Sequence, residues 1–341
     1  MTHKERFHRT AERKPVDRPA SWLGLPDPAA LPGLYKYFGV RDEDGLRAAV
    51  DDDVYPVELP CSFPGNKPIY AAFQFAKQQT GPERTLTAPG FFEDYGDPSR
   101  IDDFDWPDPE QYISPDACKK AAESAPNDRA VLGVLWSCHF QDACSAFGME
   151  TALVKMLTEP EMFCAIIGRI QDFYLRANRI FYEAAYKNLD AILIGNDFGS
   201  QTGLMLSAEM IREFVMPGTK KLVQQAKEYG IKVMHHACGA ISEIIPDLIA
   251  AGVDIIHPIQ ALASGMEPEK LRRQYGSQVA FCGGVDAQYL LVNGSPSDIR
   301  AAVRELKDIF PTGLIISPSH EAILPDVDPA NIKALFDAVR E

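Results

Sequence analysis

Residues 232–259 read KVMHHACGAISEIIPDLIAAGVDIIHPI. The stretch opens and closes on apolar, β-branched-rich runs, Lys232–Cys238 and Asp254–Ile259, with a helical pattern, Ile241–Ala251, between them. Strand, helix and strand in roughly thirty residues is the unit of a parallel sheet, because parallel neighbours need a crossover connection. The same beat runs outward on both sides. Upstream lie the runs Ala130–Trp136 and Ala191–Asp197, and downstream Val279–Val285 and Gly313–Ser319. Helical patterns separate them: Ser207–Tyr229, Pro268–Tyr275, Pro296–Phe310 and Pro329–Arg340. Ser207 is a helix-capping residue, and proline near the start suits the first helical turn. The long stretch Cys144–Lys187 predicts two helices broken near Glu159-Pro160. Two earlier strand candidates, Pro19–Gly24 and Val54–Leu59, bring the total to eight units, and eight units at this length predict a (β/α)8 TIM barrel rather than an open doubly wound sheet. Residues 60–110 break the beat with proline, glycine and aromatics. They read as an inserted loop or hairpin over the barrel mouth, or as a plain surface excursion. Residues 1–341 read as a single domain.

Composition narrows the function classes. The chain has 341 residues, 46% hydrophobic and 24% charged, with a net charge of −14. That acidity disfavours nucleic acid and anionic membranes as partners. The polar stretch Met1–Glu12 has no apolar h-region, and no apolar run approaches the ~20 residues that span a bilayer, so a cytoplasmic protein is expected. In that compartment the seven cysteines are expected as thiols or metal ligands rather than disulfides.

In a parallel α/β fold the chemistry sits at the carboxyl ends of the strands, and the polar residues gather there. Trp22 and Trp136 close two runs, and Asn196 and Asp197 a third. His236 and Cys238 close the next, followed by His257 and Gln260, Cys282 and Asp286, and finally Ser319, His320 and Glu321. His236 and Cys238 are two apart, so on a strand they share a face, and an imidazole nitrogen and a thiolate converge as zinc requires. Either His320 or Cys282 supplies a third ligand, leaving the open position of a catalytic zinc site. His235 is expected to point to the helix layer. Asp197 can accept a proton or orient a ligand, and Asp286 can simply cap the next turn. The dinucleotide fingerprint, the Walker A loop and the nucleophile elbow are all missing from the sequence.

These residues resemble the uroporphyrinogen decarboxylase superfamily, and within it the corrinoid-dependent methyltransferases. The likeness runs from Arg13-Lys14-Pro15-Val16-Asp17-Arg18-Pro19 to the last helix and is densest in Asp190–Gln201, His236-Ala237-Cys238-Gly239, Gly252–Gln260, Gly283-Gly284-Val285-Asp286 and Ser317-Pro318-Ser319-His320. The resemblance implies a (β/α)8 barrel and a zinc site of the form His-x-Cys…Cys. His236 and Cys238 match its first two members and His320 stands where the last cysteine falls, so His320 becomes the preferred third ligand and Cys282 the alternate. It implies a methyl group moved between a corrinoid (cobalamin) on a partner protein and a small donor or acceptor such as a thiol, with Asp197, His236 and Cys238 as the catalytic group. Trp22, Trp136, Asn196, Gln201, His257, Gln260 and Asp286 are then expected to line the substrate. The decarboxylase branch carries an arginine-rich stretch after the first strand, where this chain has Trp22-Leu23-Gly24-Leu25-Pro26-Asp27-Pro28 without arginine. A decarboxylase, or a relative that binds a corrinoid or ligand without turnover, are the rival expectations.

Overall fold

In a computed structural model, described over residues 1–58, 72–75 and 88–341, eight parallel strands form a nearly closed barrel with helices outside. The strands are β1 (Ala20–Ser21), β2 (Val54–Glu58), β3 (Ala130–Trp136), β4 (Ala191–Gly195), β5 (Lys232–His236), β6 (Ile255–Ile259), β7 (Ala280–Val285) and β8 (Leu314–Pro318). Their order is β1-β8-β7-β6-β5-β4-β3-β2. This is the (β/α)8 barrel that the sequence beat predicts.

The two-residue period of the strands divides the apolar residues into two layers. Leu132, Val134, Leu193, Met234, Ile255, Cys282 and Ile315 fill the barrel interior with Trp22 and Phe7. The alternate positions, such as Val131, Ile192, Val233, Ile256 and Phe281, pack outward against the helices. By the same alternation His236 follows Met234 to the inside and His235 points out, stacked on Phe198 with ring centroids 6.2 Å apart.

The ends of the strand order, β1 and β2, meet through side chains. One backbone bond joins them, Asp53 N to Ser21 O at 2.9 Å. The Asp53 carboxylate accepts the Ser21 N–H at 2.8 Å, and the Asp52 carboxylate accepts the Leu23 N–H at 3.0 Å. Both aspartates are fully buried. Asp53 is neutralised by Arg6 at 2.6 Å, Arg18 at 2.7 Å and His3 at 2.8 Å; Asp52 is met by Arg47 and Arg129.

Several helix boundaries depart from expectation for local reasons. The stretch 144–187 holds parts of three helices, His139–Phe147, Met149–Thr158 and Pro160–Ala185. The break at Pro160 is the expected one, and the extra break falls at Gly148, in left-handed backbone with φ +87°. Ser207 caps its helix by accepting the Met210 N–H, and the helix then passes through a π segment, Ile211–Val215, before Met216-Pro217. Proline lacks the N–H that would continue the regular ladder. The helix expected from Ile241 begins at Ile245, with Pro246 in its first turn.

Part of the 60–110 excursion, with the hairpin or loop expected over the mouth, lies at 60–71 and 76–87, outside the described residues. Its described part packs aromatic rings on the helix Pro160–Ala185. Phe73 meets Phe173 at 4.8 Å, and Phe75, Phe92, Phe104 and Trp106 close round it. Among the described residues no helix is long and apolar enough to cross a membrane.

Candidate metal centre at the barrel mouth

The carboxyl ends of β4, β5, β6 and β8 bring five side chains together. The His236 ring, the last of β5, sits between two sets of donors. Its Nε2 lies 3.3 Å from Cys238 Sγ and 3.2 Å from Asp197 Oδ1. Its Nδ1 lies 3.0 Å from His257 Nδ1 and 3.5 Å from Glu321 Oε2. Among the described residues, the compact groups with all donor atoms within 4.8 Å of one another are Asp197–His236–Cys238 and His236–His257–Glu321.

Glycines set this geometry. Gly195 pairs with His236 across β4 and β5. A Cβ at Gly195 would stand 2.2 Å from the His236 carbonyl oxygen and 2.6 Å from its Cβ. The backbone turns away after Cys238 at Gly239, with φ +81°, where a Cβ would meet Ser200 O at 2.5 Å. Gly195→Ala is therefore expected to push the His236 backbone aside at a cost of about 1–3 kcal/mol, read as a lowered midpoint in urea unfolding; an unchanged midpoint would show that β4 has slack.

The electrostatics favour a cation between these side chains. Burial by itself would depress the His236 imidazole, but Glu321, Asp197 and Cys238 outweigh it and hold the ring well above its ordinary value. Burial likewise opposes ionisation of Cys238, yet the bonds from His236 and His320 bring the thiol below its usual value. Asp197 follows the same pattern, with His236 and the Cys238 N–H (3.0 Å) overriding burial and keeping it ionised. His257, fully buried and near His236 and His320, is held well below the ordinary value and is neutral. His235, on the outer side of the same strand, is pushed by burial down to about 3.

The remaining predicted residues separate into three settings. His320 lies beside Cys238, which draws its imidazole above the ordinary value, while its Nδ1 accepts the Ala322 N–H at 3.0 Å. It belongs to neither compact donor group. Cys282 faces the barrel interior, fully buried against Ser317, and burial pushes its thiol up to about 12; it stands apart from the donors. Trp22, Asn196 and His257, expected against substrate, are buried behind the mouth. Trp22 packs edge-on to His257 at 5.2 Å. Asn196 accepts the Phe140 N–H at 2.9 Å and contacts His139. Trp136 does reach the site, edge-on to His236 at 5.3 Å, from left-handed backbone with φ +57° that a non-glycine residue rarely adopts. Gln201 and Gln260 bond to each other at 3.0 Å, and Gln260 Oε1 also accepts the Gly239 N–H. Asp286 caps the following turn, accepting N–H groups of Gln288, Tyr289 and Leu290. Glu321 had no assigned role in the sequence. Its carboxylate meets both His236 and His320, and the one hint was its place next to His320 at a strand end.

A parallel barrel with nitrogen, sulfur and oxygen donors at the carboxyl ends of its strands is the layout of a TIM-barrel enzyme. The chain belongs to the uroporphyrinogen decarboxylase (URO-D) family, whose sequence profile matches residues 83–341. Over 195 residues it is 28% identical to the uroporphyrinogen decarboxylase of Chlorobium limicola, covering 54% of this chain and 51% of that one. Over 159 residues it is 28% identical to the methylated-thiol–coenzyme M methyltransferase of Methanosarcina mazei, covering 46% and 40%. The chain thus spans about half the length, or less, of these curated relatives. Among solved structures, a methyltransferase from Methanosarcina mazei superposes with a TM-score of 0.67 at 16% identity, covering 100% of this chain and 98% of that one, a likeness of fold.

Proposed function

We propose that this protein is a zinc-dependent methyltransferase, moving a methyl group between a corrinoid on a partner protein and a small molecule such as a thiol. The observation that carries the reading is the Asp197–His236–Cys238 group. Zinc bonds of about 2.0–2.3 Å place tetrahedral donors roughly 3.3–3.6 Å apart; His236 Nε2 lies 3.3 Å from Cys238 Sγ and 3.2 Å from Asp197 Oδ1, near that range. The donor chemistry also fits, since a thiolate and an imidazole nitrogen are what zinc selects. The Methanosarcina relative supports methyl transfer by its name, and the decarboxylase relatives support the rival. The rival needs cations to hold carboxylates, and the segment after β1, residues 22–28, has none.

His236 Nε2, Cys238 Sγ and Asp197 Oδ1 would hold the ion, with Asp197 in the place that the family resemblance assigns to His320. A bound zinc supplies the Lewis acidity that turns an acceptor thiol into a thiolate at neutral pH. The protein's own groups orient that centre. With Nε2 as a ligand, the His236 Nδ1–H would donate to His257 Nδ1, 3.0 Å away, which would fix tautomer and ring plane. Trp136 walls the other side of the ring, and His320 faces the sulfur from the cavity. Elemental analysis tests the assignment: zinc retained in His320→Ala and lost in Asp197→Ala supports it, and the reverse makes His320 the third donor. His257→Phe is expected to weaken zinc retention about 10–100-fold against a competing chelator; unchanged retention would mean that Glu321 alone orients His236.

A further inference from the structure

The end of β3 departs from a regular strand. Its pairing with β4 slips between Val134 and Trp136. Trp136 and Ser137 then stand consecutively in left-handed backbone, with φ +57° and +52°. Neither is glycine, and strain of this kind persists only where the surroundings fix it. An irregularity beside a site re-aims a side chain, and here the Trp136 indole is brought edge-on to the His236 ring at 5.3 Å.

Two buried locks hold the bend. The Ser137 hydroxyl meets both ends of the Asn178 amide, on the helix Pro160–Ala185, donating to Oδ1 at 3.3 Å and accepting from Nδ2 at 3.1 Å. The backbone adds two tight turns, Ser137 N–H to Leu135 O at 2.7 Å and His139 N–H to Ser137 O at 2.8 Å. The second lock is His139. Burial holds its imidazole below the ordinary value, so the ring is neutral and has one N–H. Nε2–H donates to Val215 O at 3.2 Å, which leaves Nδ1 to accept from Asn196 Nδ2 at 3.4 Å. Asn196 Oδ1 takes the Phe140 N–H, so a side chain from the end of β4 caps the helix that begins at His139. Ser137, His139, Asn178 and Asn196 are all buried, and none belongs to either compact donor group. A buried polar network whose members are paired rigidifies one arrangement. The arrangement specified here is the stance of Trp136 beside His236.

We propose that Asn178 is a positioning residue: acting through Ser137, it holds Trp136 against His236 and so steadies the ring at the centre of the site. The placement needs no metal, and its use to an ion rests on the zinc reading. The test is fluorine NMR of the full chain labelled with 5-fluorotryptophan, which gives one signal for each of the three tryptophans; Trp136→Phe identifies that of Trp136. Asn178→Leu, a change of similar size, is expected to shift or split the Trp136 signal and to leave those of Trp22 and Trp106 in place. The pair Ser137→Ala and Asn178→Leu removes both partners and strands neither, so it serves should the single variant fail to fold, with the same expectation. Zinc retention against a competing chelator is expected to fall about tenfold in either variant. A Trp136 signal left in place overturns the inference. So does a displacement of all three signals together, which reports general loosening, and so does a displaced Trp136 signal with zinc retention unchanged. A purified chain that holds no zinc ends the metal reading instead, and the fluorine comparison then decides this inference by itself.

Discussion

Cys238→Ala and His236→Ala are each expected to abolish zinc binding and to lower methyl transfer by at least about a thousandfold, because a Lewis-acid centre is worth several kcal/mol to the transition state and each 1.36 kcal/mol is tenfold in rate. His236 is the more telling of the two. Its ring faces both donor groups, so its loss removes a proposed ligand and also leaves Glu321 and His257 without the ring they face. Cys238→Ala removes the sulfur and keeps the His236–His257 pair intact. If the centre works through the thiolate, the two variants lose activity alike while differing in stability. Retained decarboxylation of a carboxylate substrate with no dependence on Cys238 would favour the rival reading.

Asp53→Ala is expected to be the most damaging change away from the mouth. It deprives Arg6 and Arg18 of a buried partner and removes the acceptor of the Ser21 N–H where β1 meets β2. Breaking a buried ion pair from one side costs about 3–5 kcal/mol, measurable by urea unfolding, and a loss under 1 kcal/mol would show that the remaining backbone bond closes the seam alone. The pH dependence follows from the sign of the shift. Burial would raise the Asp53 carboxyl, but His3, Arg18 and Arg6 more than offset it and hold it below its ordinary value. Its stabilising contribution is thus complete above the unfolded carboxylate value of about 4 and disappears as pH falls toward the depressed folded one. The unaltered protein should lose stability through that acid range, and Asp53→Ala should lose less of it there.

The barrel was legible because its strands from β3 onward are short, apolar and alternate with helices, most of which carry a capping residue or proline at the head. The approach of His236 and Cys238 to one another was legible because residues two apart at a strand end face the same side. What escaped the sequence was contact between strands. Nothing local to Asn196 or His257 shows that the barrel buries them, and nothing local to Glu321 shows that it reaches His236 from β8. His320 could be matched to a ligand position by resemblance, yet its ring nitrogen is drawn to the Ala322 N–H and its contact is with the sulfur. Asp52 and Asp53 drew no assignment from the sequence, because their four arginine partners come from positions as distant as 6 and 129.

Two adjacent imidazoles in β5 occupy opposite sides of one wall: His236 among acids and a thiol, His235 against Phe198 with both nitrogens unpartnered among the described residues. Deleting or inserting one residue within Lys232–His236 would trade their places, since a strand's pleat reverses with every step. The mouth would then receive a ring shaped for grease, and the greasy layer a ring that attracts charge. In this strand the count of residues therefore matters as much as their kind, and a length change there forfeits fold and chemistry in a single stroke.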